Sequence, residues 1–179
     1  GVGRFGPLDP FPNLLAGGLL LSLLLPLALI DLRTMRLPEP LCRWGVISGL
    51  ALSALGGWWL GLGTELLLWH SLAAATGLLI FEGISGLGEK LLGAPALGLG
   101  DAKLAALLGA WLGLQGLAVA CAVAVVLGAA FGLTGRLSGL LGPKQPFPFG
   151  PFLAVGGLLS WLACDALWAL LINPGPMGF

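Results

Sequence analysis

The sequence predicts an all-α membrane protein, a single polytopic bundle of about six transmembrane helices within residues 1–179. Hydrophobic residues make up 58% of the chain and charged residues 9%, against about 25% charged residues in soluble domains. The mean hydropathy is +1.02. The apolar residues fall into long runs that Pro and Gly turns separate. The formal net charge is +0 without a basic tract, which removes the electrostatic basis for binding nucleic acid.

Six apolar runs are the candidate spans. A hydrocarbon core of ~30 Å requires roughly 20 residues of helix, and most of the runs approach that length. The fourth is short, and a tight turn at residues 115–116 is expected to join it to the fifth. Pro26 predicts a kink in the first. The runs cover about residues 14–32, 42–62, 64–87, 101–114, 117–137 and 152–172.

The segments outside these runs are rich in proline and glycine. Residues 1–13 are predicted to be an exposed lead-in without the features of a secretory signal peptide, and residues 173–179 a flexible tail. Residues 142–152 form a proline-rich loop that is either a wall or lid of a site or a rigid connector.

The basic residues predict the orientation in the membrane. Short cytoplasmic loops retain Lys and Arg. Of the 8 basic residues, Arg4 alone falls on one side of the predicted bundle. Both termini are therefore expected to be extracytoplasmic. The residues on the other, cytoplasmic side are Arg33, Arg36, Arg43, Lys90, Lys103, Arg136 and Lys144.

The cysteines and the single histidine do not indicate a metal site. Cys42, Cys121 and Cys164 are far apart in sequence and form no C-x2-C pair, so they are expected to be small packing residues. His70 lies early in the third apolar run and is expected to be a packed or interfacial residue. The many glycines, including the Gly-x-x-x-Gly pair that ends at Gly113, predict close helix packing within the chain.

Two aspartates stand out because each lies at the predicted cytoplasmic end of a span. A carboxylate at a helix centre costs roughly 2.5–3.5 kcal/mol on insertion, so acids within spans indicate function. Asp31 and Asp101 have basic neighbours only at i+2, on another helix face. Two facing aspartates share one proton, so the ionised one can activate water while the other polarises a peptide carbonyl.

The glycines before Asp101 have two interpretations. Gly98 and Gly100 could allow a substrate backbone or a neighbouring helix to approach the carboxylate closely. Alternatively, a glycine turn simply precedes an aspartate that the helix dipole favours at an N-terminus. Spacing alone leaves both interpretations open.

The other six acids are weaker candidates. Asp165 lies deep in the last run and is expected to be a buried structural hydrogen-bonding residue or a proton relay. Glu82, near the cytoplasmic end of the third run, is either a supporting residue of the aspartate site or an interfacial acid. The remaining four are interpreted as solvated loop or interface charges, namely Asp9, Glu39, Glu65 and Glu89.

Two other functional classes remain open at this point. A transporter or channel would use Asp31, Asp101 and Asp165 as a proton or cation path. A structural subunit of a larger membrane assembly would tolerate replacement of both Asp31 and Asp101.

Three sequence blocks follow one another along the chain, namely IDLRTMRLPE at residues 30–39, GLGDAKL at 98–104 running into LGAWLG at 108–113, and PFGPFLA at 148–154. In this order they resemble the type IV prepilin peptidases, aspartic proteases with a Gly-x-Gly-Asp motif. For a protein of this kind, the structural alternative is a subunit of a pilus or secretion machine. The resemblance implies an aspartic endopeptidase of the bacterial inner membrane, without a metal or cofactor, that uses Asp31 and Asp101 as its catalytic pair. It also implies prepilin or pseudopilin substrates, cut at the cytoplasmic face, in type IV pilus or type II secretion systems. The residues predicted to support the site or contact substrate are Gly98, Gly100, Lys103, Glu82, Arg36 and Pro38.

The sequence departs from that family in two places. Glu39 stands where many bacterial members have aspartate after Leu-Pro. Many members also carry a cytoplasmic insert with a cysteine tetrad and N-methyltransferase activity, which this sequence does not contain. We therefore expect a peptidase core without the methyltransferase region.

Overall fold

The computed structural model describes residues 10–92, 98–139 and 148–172. These residues form five helices and no strand, which confirms the predicted all-α class for this part of the chain. Four of the helices, all but the second, are long and apolar enough to cross a membrane. The helices are α1 (Pro10–Thr34), α2 (Glu39–Trp59), α3 (Glu65–Leu92), α4 (Leu99–Leu137) and α5 (Gly150–Ile172).

The first helix begins earlier than predicted. We expected residues 1–13 to be non-helical, but α1 begins at Pro10, because the first helical turn needs no proline N–H. The helix then continues through Pro26 to Thr34. Residues 1–9, most of the proline-rich loop and the tail after residue 172 lie outside the described residues, so the predictions for them stay predictions.

Helix α4 folds back on itself at Gly113. A straight helix of 39 residues would be about 58 Å long, nearly twice the thickness of a bilayer core. At Gly113 the backbone leaves the helical region, with φ 68° and ψ −176°. Only glycine adopts this conformation readily.

Contacts with α3 show that the two arms of α4 are antiparallel. A Cβ on Gly77 of α3 would lie 2.9 Å from the Ala105 carbonyl oxygen and 3.1 Å from a Leu117 methyl group. In a straight helix Ala105 and Leu117 would be about 18 Å apart along the axis. We call residues 99–112 the first arm and 114–137 the second arm.

This reversal corrects the predicted position of the turn. Residues 115–116 are helical, and the chain turns two residues earlier, where glycine permits a positive φ. With the two arms of α4 counted separately, the described residues contain six helical segments, in agreement with the approximate count from sequence.

The first arm of α4 lies at the centre of the bundle. Its Leu104, Leu107 and Leu108 are fully buried, and it packs against α2, α3 and α5. Gly109 brings the arm directly against the Ala73 backbone of α3, since a Cβ there would collide with that backbone. Small residues at helix contacts permit such approach, so this glycine serves packing within the chain.

The outer surface of the bundle is apolar. Large hydrophobic side chains are exposed along α1, α3 and α5, for example Leu14, Leu79 and Leu162. Trp58 and Trp59 at the end of α2 are more than four-fifths exposed, at 84% and 83%. Exposed leucines along helices, and exposed tryptophans at a helix end, are typical of a bundle that faces lipid and of a helix that ends at a membrane interface.

Candidate active site

The structure brings Asp31 and Asp101 to one end of the bundle. Asp31 lies in the last turn of α1 and Asp101 in the first turn of α4. Both are buried, with 5% and 7% of their surface exposed. Two residues that are far apart in sequence are therefore both buried at the same end of the bundle.

Asp31 is held by the start of α5. The Gly150 backbone N–H donates a buried hydrogen bond to Asp31 Oδ2 at 3.1 Å. Gly150 is the first residue of α5. The positive end of a helix dipole therefore faces the carboxylate and stabilises its negative charge.

Asp101 is held within its own turn. The Gly98 N–H donates to Asp101 Oδ2 at 3.2 Å, and the Asp101 N–H donates to the Gly98 carbonyl at 3.0 Å. Asp101 thus caps the start of α4, which agrees with the interpretation of this turn as a glycine turn before a helix N-terminus. Gly98 has φ −70°, so its backbone does not require glycine.

Gly100 serves close approach between two connectors. A Cβ on Gly100 would lie 3.0 Å from the Cβ of Leu37, which directly precedes Pro38. Pro38 is half-buried at the N-cap of α2. Gly100 therefore lets the α1–α2 connector, which follows Asp31, lie directly against the start of α4, which carries Asp101.

The other predicted supporting residues are Lys103, Glu82 and Arg36, and the cavity that Lys103 and Glu82 line is not lined by Asp31 or Asp101. Lys103 Nζ lies 3.4 Å from Glu39 Oε2, in a partly exposed ion pair that joins the starts of α4 and α2. Both residues lie with Glu82 and Arg43 around a cavity of about 460 Å³ between α2, α3 and the first arm of α4. Arg36 is exposed, and its backbone bonds to the Thr34 hydroxyl. 

Two further residues can be compared with their predictions. His70 is buried, with Nδ1 2.9 Å from the Ala110 carbonyl oxygen, as expected for a packed histidine. Asp165 is exposed on α5 rather than buried. The helix is irregular two residues earlier, at Ala163, which sequence periodicity did not indicate. Among the described residues no group of three or more His, Cys, Asp or Glu could hold a metal ion.

Gly150 is the contact residue that sequence reasoning missed. It stood in the third block without an assigned role, although a glycine directly before a proline marks a helix start. The signal that it faces a carboxylate is absent from the sequence, because Gly150 and Asp31 are 119 positions apart.

The sequence of this chain is similar to those of known proteins. The sequence profile of the type IV leader peptidase family matches residues 18–133, which include Asp31 and Asp101. The chain belongs to the type IV leader peptidase family. The match ends before Gly150. Four helices of this chain are long and apolar enough to cross a membrane. As a member of the leader peptidase family, the chain is therefore an integral inner-membrane protein.

Curated relatives carry the name prepilin leader peptidase/N-methyltransferase. The one from Aeromonas salmonicida is 35% identical over 160 residues, which are 89% of this chain and 53% of that protein. The one from Burkholderia pseudomallei is 36% identical over 181 residues, covering 95% and 53%. The one from Bacillus subtilis is 31% identical over 174 residues, covering 95% and 63%. This leader peptidase family chain thus spans about half the length of the curated relatives it matches. No solved structure matches it significantly.

Proposed function

We propose that this chain is an aspartic endopeptidase that removes the leader peptide from type IV prepilins or pseudopilins. The observation that carries the proposal is the buried pair of Asp31 and Asp101 at one end of the bundle, in a chain of the leader peptidase family. Each carboxylate is held through Oδ2 by one backbone amide. From the described residues neither Oδ1 accepts a hydrogen bond, which leaves one oxygen of each for water and substrate.

The proposed reaction uses the pair as acid and base. The two carboxyls share one proton because both do not ionise readily at close range. The ionised carboxylate takes a proton from water as the water oxygen bonds to the scissile carbonyl carbon, and the protonated one donates to the carbonyl oxygen. Collapse of the tetrahedral intermediate breaks the C–N bond. The carboxyl that took a proton from water donates it to the departing amine, and the other carboxylate takes a proton from a hydroxyl group of the intermediate. The pair then again holds one proton, as at the start.

We place this pair at the cytoplasmic face of the membrane. The basic residues that flank the described helices lie at the same end of the bundle as Asp31, since the second arm of α4 returns to the end where the first arm begins. They comprise Arg33, Arg36, Arg43, Lys90, Lys103 and Arg136. Enrichment of Lys and Arg in short loops marks the cytoplasmic side, which supports this orientation.

Cleavage by the purified chain tests the proposal. The chain is reconstituted in lipid with a prepilin-type substrate that carries a basic leader before an apolar helix, and the products are identified by mass spectrometry. We expect a single cut at the leader junction. Intact substrate, together with proton or cation flux in sealed vesicles that depends on Asp31 and Asp101, would replace the peptidase proposal with a transporter.

A further inference from the structure

In the first turn of α5, a single backbone N–H group points towards Asp31. A helix start leaves several N–H groups without partners in the helix. In α5 Pro151 has no N–H, and the amides of the next two residues both donate to the Phe149 carbonyl at 3.1 Å. The Gly150 N–H remains, and it donates to Asp31 Oδ2 at 3.1 Å. One hydrogen bond thus ties the carboxylate to α5.

The space at Gly150 is filled by the Asp31 carboxyl. A Cβ on Gly150 would lie 2.5 Å from Asp31 Oδ2 and 3.0 Å from Cγ, closer than real contacts allow. The Gly150 backbone is helical, so backbone conformation does not require glycine here. The contact with Asp31 is the reason that a side chain cannot be placed at this position.

We infer that Gly150 is a positioning residue that holds the Asp31 carboxylate in the place it needs to act together with Asp101. Its N–H fixes Oδ2, and its lack of a side chain lets the carboxylate lie against the helix start. Among the described residues, Oδ1 of Asp31 has no hydrogen-bond donor and is left for water or substrate. This inference rests on the proposed peptidase function for its catalytic consequence, and a misplacement of about 1 Å can lower a rate by roughly 100-fold.

A double-mutant cycle on thermal stability tests the contact without an activity measurement. Gly150→Ala is made in the wild-type chain and in the Asp31→Ala chain, where the nearest remaining atom is the Cβ at 3.4 Å. We expect Gly150→Ala to lower the Tm of the wild-type chain clearly and to lower that of the Asp31→Ala chain by less than half as much. Equal decreases would overturn the inference.

Gly156→Ala is the matched control. Gly156 also lies in α5, and a Cβ there would collide with the Ala120 carbonyl oxygen, far from Asp31. Its decrease in Tm is expected to be the same with and without the Asp31 side chain. If Gly150→Ala alone fails to fold, the double variant with Asp31→Ala is expected to fold, and its failure as well would overturn the inference.

The rate of cleavage then separates positioning from packing. For folded Gly150→Ala we expect kcat to fall by roughly 100-fold while KM stays within about twofold of the wild-type value. An unchanged kcat, or a raised KM alone, would overturn the inference. If the wild-type chain does not cleave but the stability coupling is present, the peptidase proposal fails and the Gly150–Asp31 contact is supported.

Discussion

The two ends of the first arm of α4 carry polar groups of opposite kinds. At the turn end, aromatic ring nitrogens bond to backbone carbonyls of other helical segments. His70 Nδ1 lies 2.9 Å from the Ala110 carbonyl oxygen, and the Trp111 indole N–H donates to the Gly45 carbonyl at 2.8 Å. At the other end the polar groups are carboxyls, and Asp31 and Asp101 accept single backbone amides.

The difference teaches how a membrane bundle separates structure from chemistry. A neutral donor that meets a carbonyl loses little in an apolar interior and ties two helices together. A buried carboxyl has up to four acceptor sites and one amide satisfies only one of them. The turn end is therefore expected to determine stability, and the carboxyl end to determine activity.

Replacing either aspartate at the carboxyl end should have the largest effect, and that effect is on the rate of cleavage. Asp31→Asn or Asp101→Asn keeps the shape of the side chain but removes a group that exchanges protons. We expect the initial rate of leader cleavage to fall by ~10²–10⁴-fold while the protein stays folded in the membrane. Ser160→Ala, a turn-end control that removes a 2.8 Å bond to Gly116, should keep its rate within about twofold. Wild-type activity in either Asn variant would break the assignment.

At the turn end, Gly113→Ala should lower stability. A side chain at φ 68° and ψ −176° costs roughly 1–3 kcal/mol, and its Cβ would lie 3.4 Å from His70 Nε2. Thermal unfolding in detergent measures the decrease in Tm. Gly18→Ala is the control, because a Cβ on Gly18 meets no atom within 4 Å. Equal Tm values for Gly113→Ala and the wild-type chain would refute the sharp reversal.

Trp111→Phe should have a smaller effect on stability. The change removes the indole N–H that donates to the Gly45 carbonyl and leaves an aromatic ring in the buried site. The lost hydrogen bond is expected to cost about 1 kcal/mol of unfolding free energy. Denaturant titration measures this, with Trp58→Phe as the control because Trp58 is 84% exposed. Loss of cleavage without loss of stability would show that the turn end also serves activity.

Lys103→Met should have the smallest effect on stability. Its ion pair with Glu39 is partly exposed, with 39% and 62% of the side chains accessible, so solvent screens the attraction. We expect a change below about 1 kcal/mol in unfolding free energy. The same variant tests the predicted supporting role of Lys103. A cleavage rate that falls more than about tenfold at unchanged stability would show that Lys103 acts on substrate.

Much of this protein was predictable from local patterns. Long apolar runs require membrane helices because an unpaired backbone group is costly in lipid. Asp31 and Asp101 stood out because acids are rare near spans, and the structure confirms that both lie at helix ends. Chemical type and position along the chain are enough for these inferences.

Local patterns failed where packing between distant segments decides the outcome. The turn of α4 lies at Gly113, because glycine alone adopts its backbone conformation there, and Asp165 is exposed because of the way α5 packs. Neither feature follows from hydropathy, because a residue type has the same hydropathy whether it faces lipid or the interior of the bundle.

The sequence by itself determined the membrane class, the helical segments and the two aspartates. Only the tertiary structure decided that both carboxyls are buried at one end of the bundle, that α4 is a hairpin, and that the Gly150 amide bonds to Asp31. The physical reason is distance: a hydrogen bond acts over about 3 Å in space. Asp31 and Gly150 are 119 positions apart, so only the folded bundle brings them together.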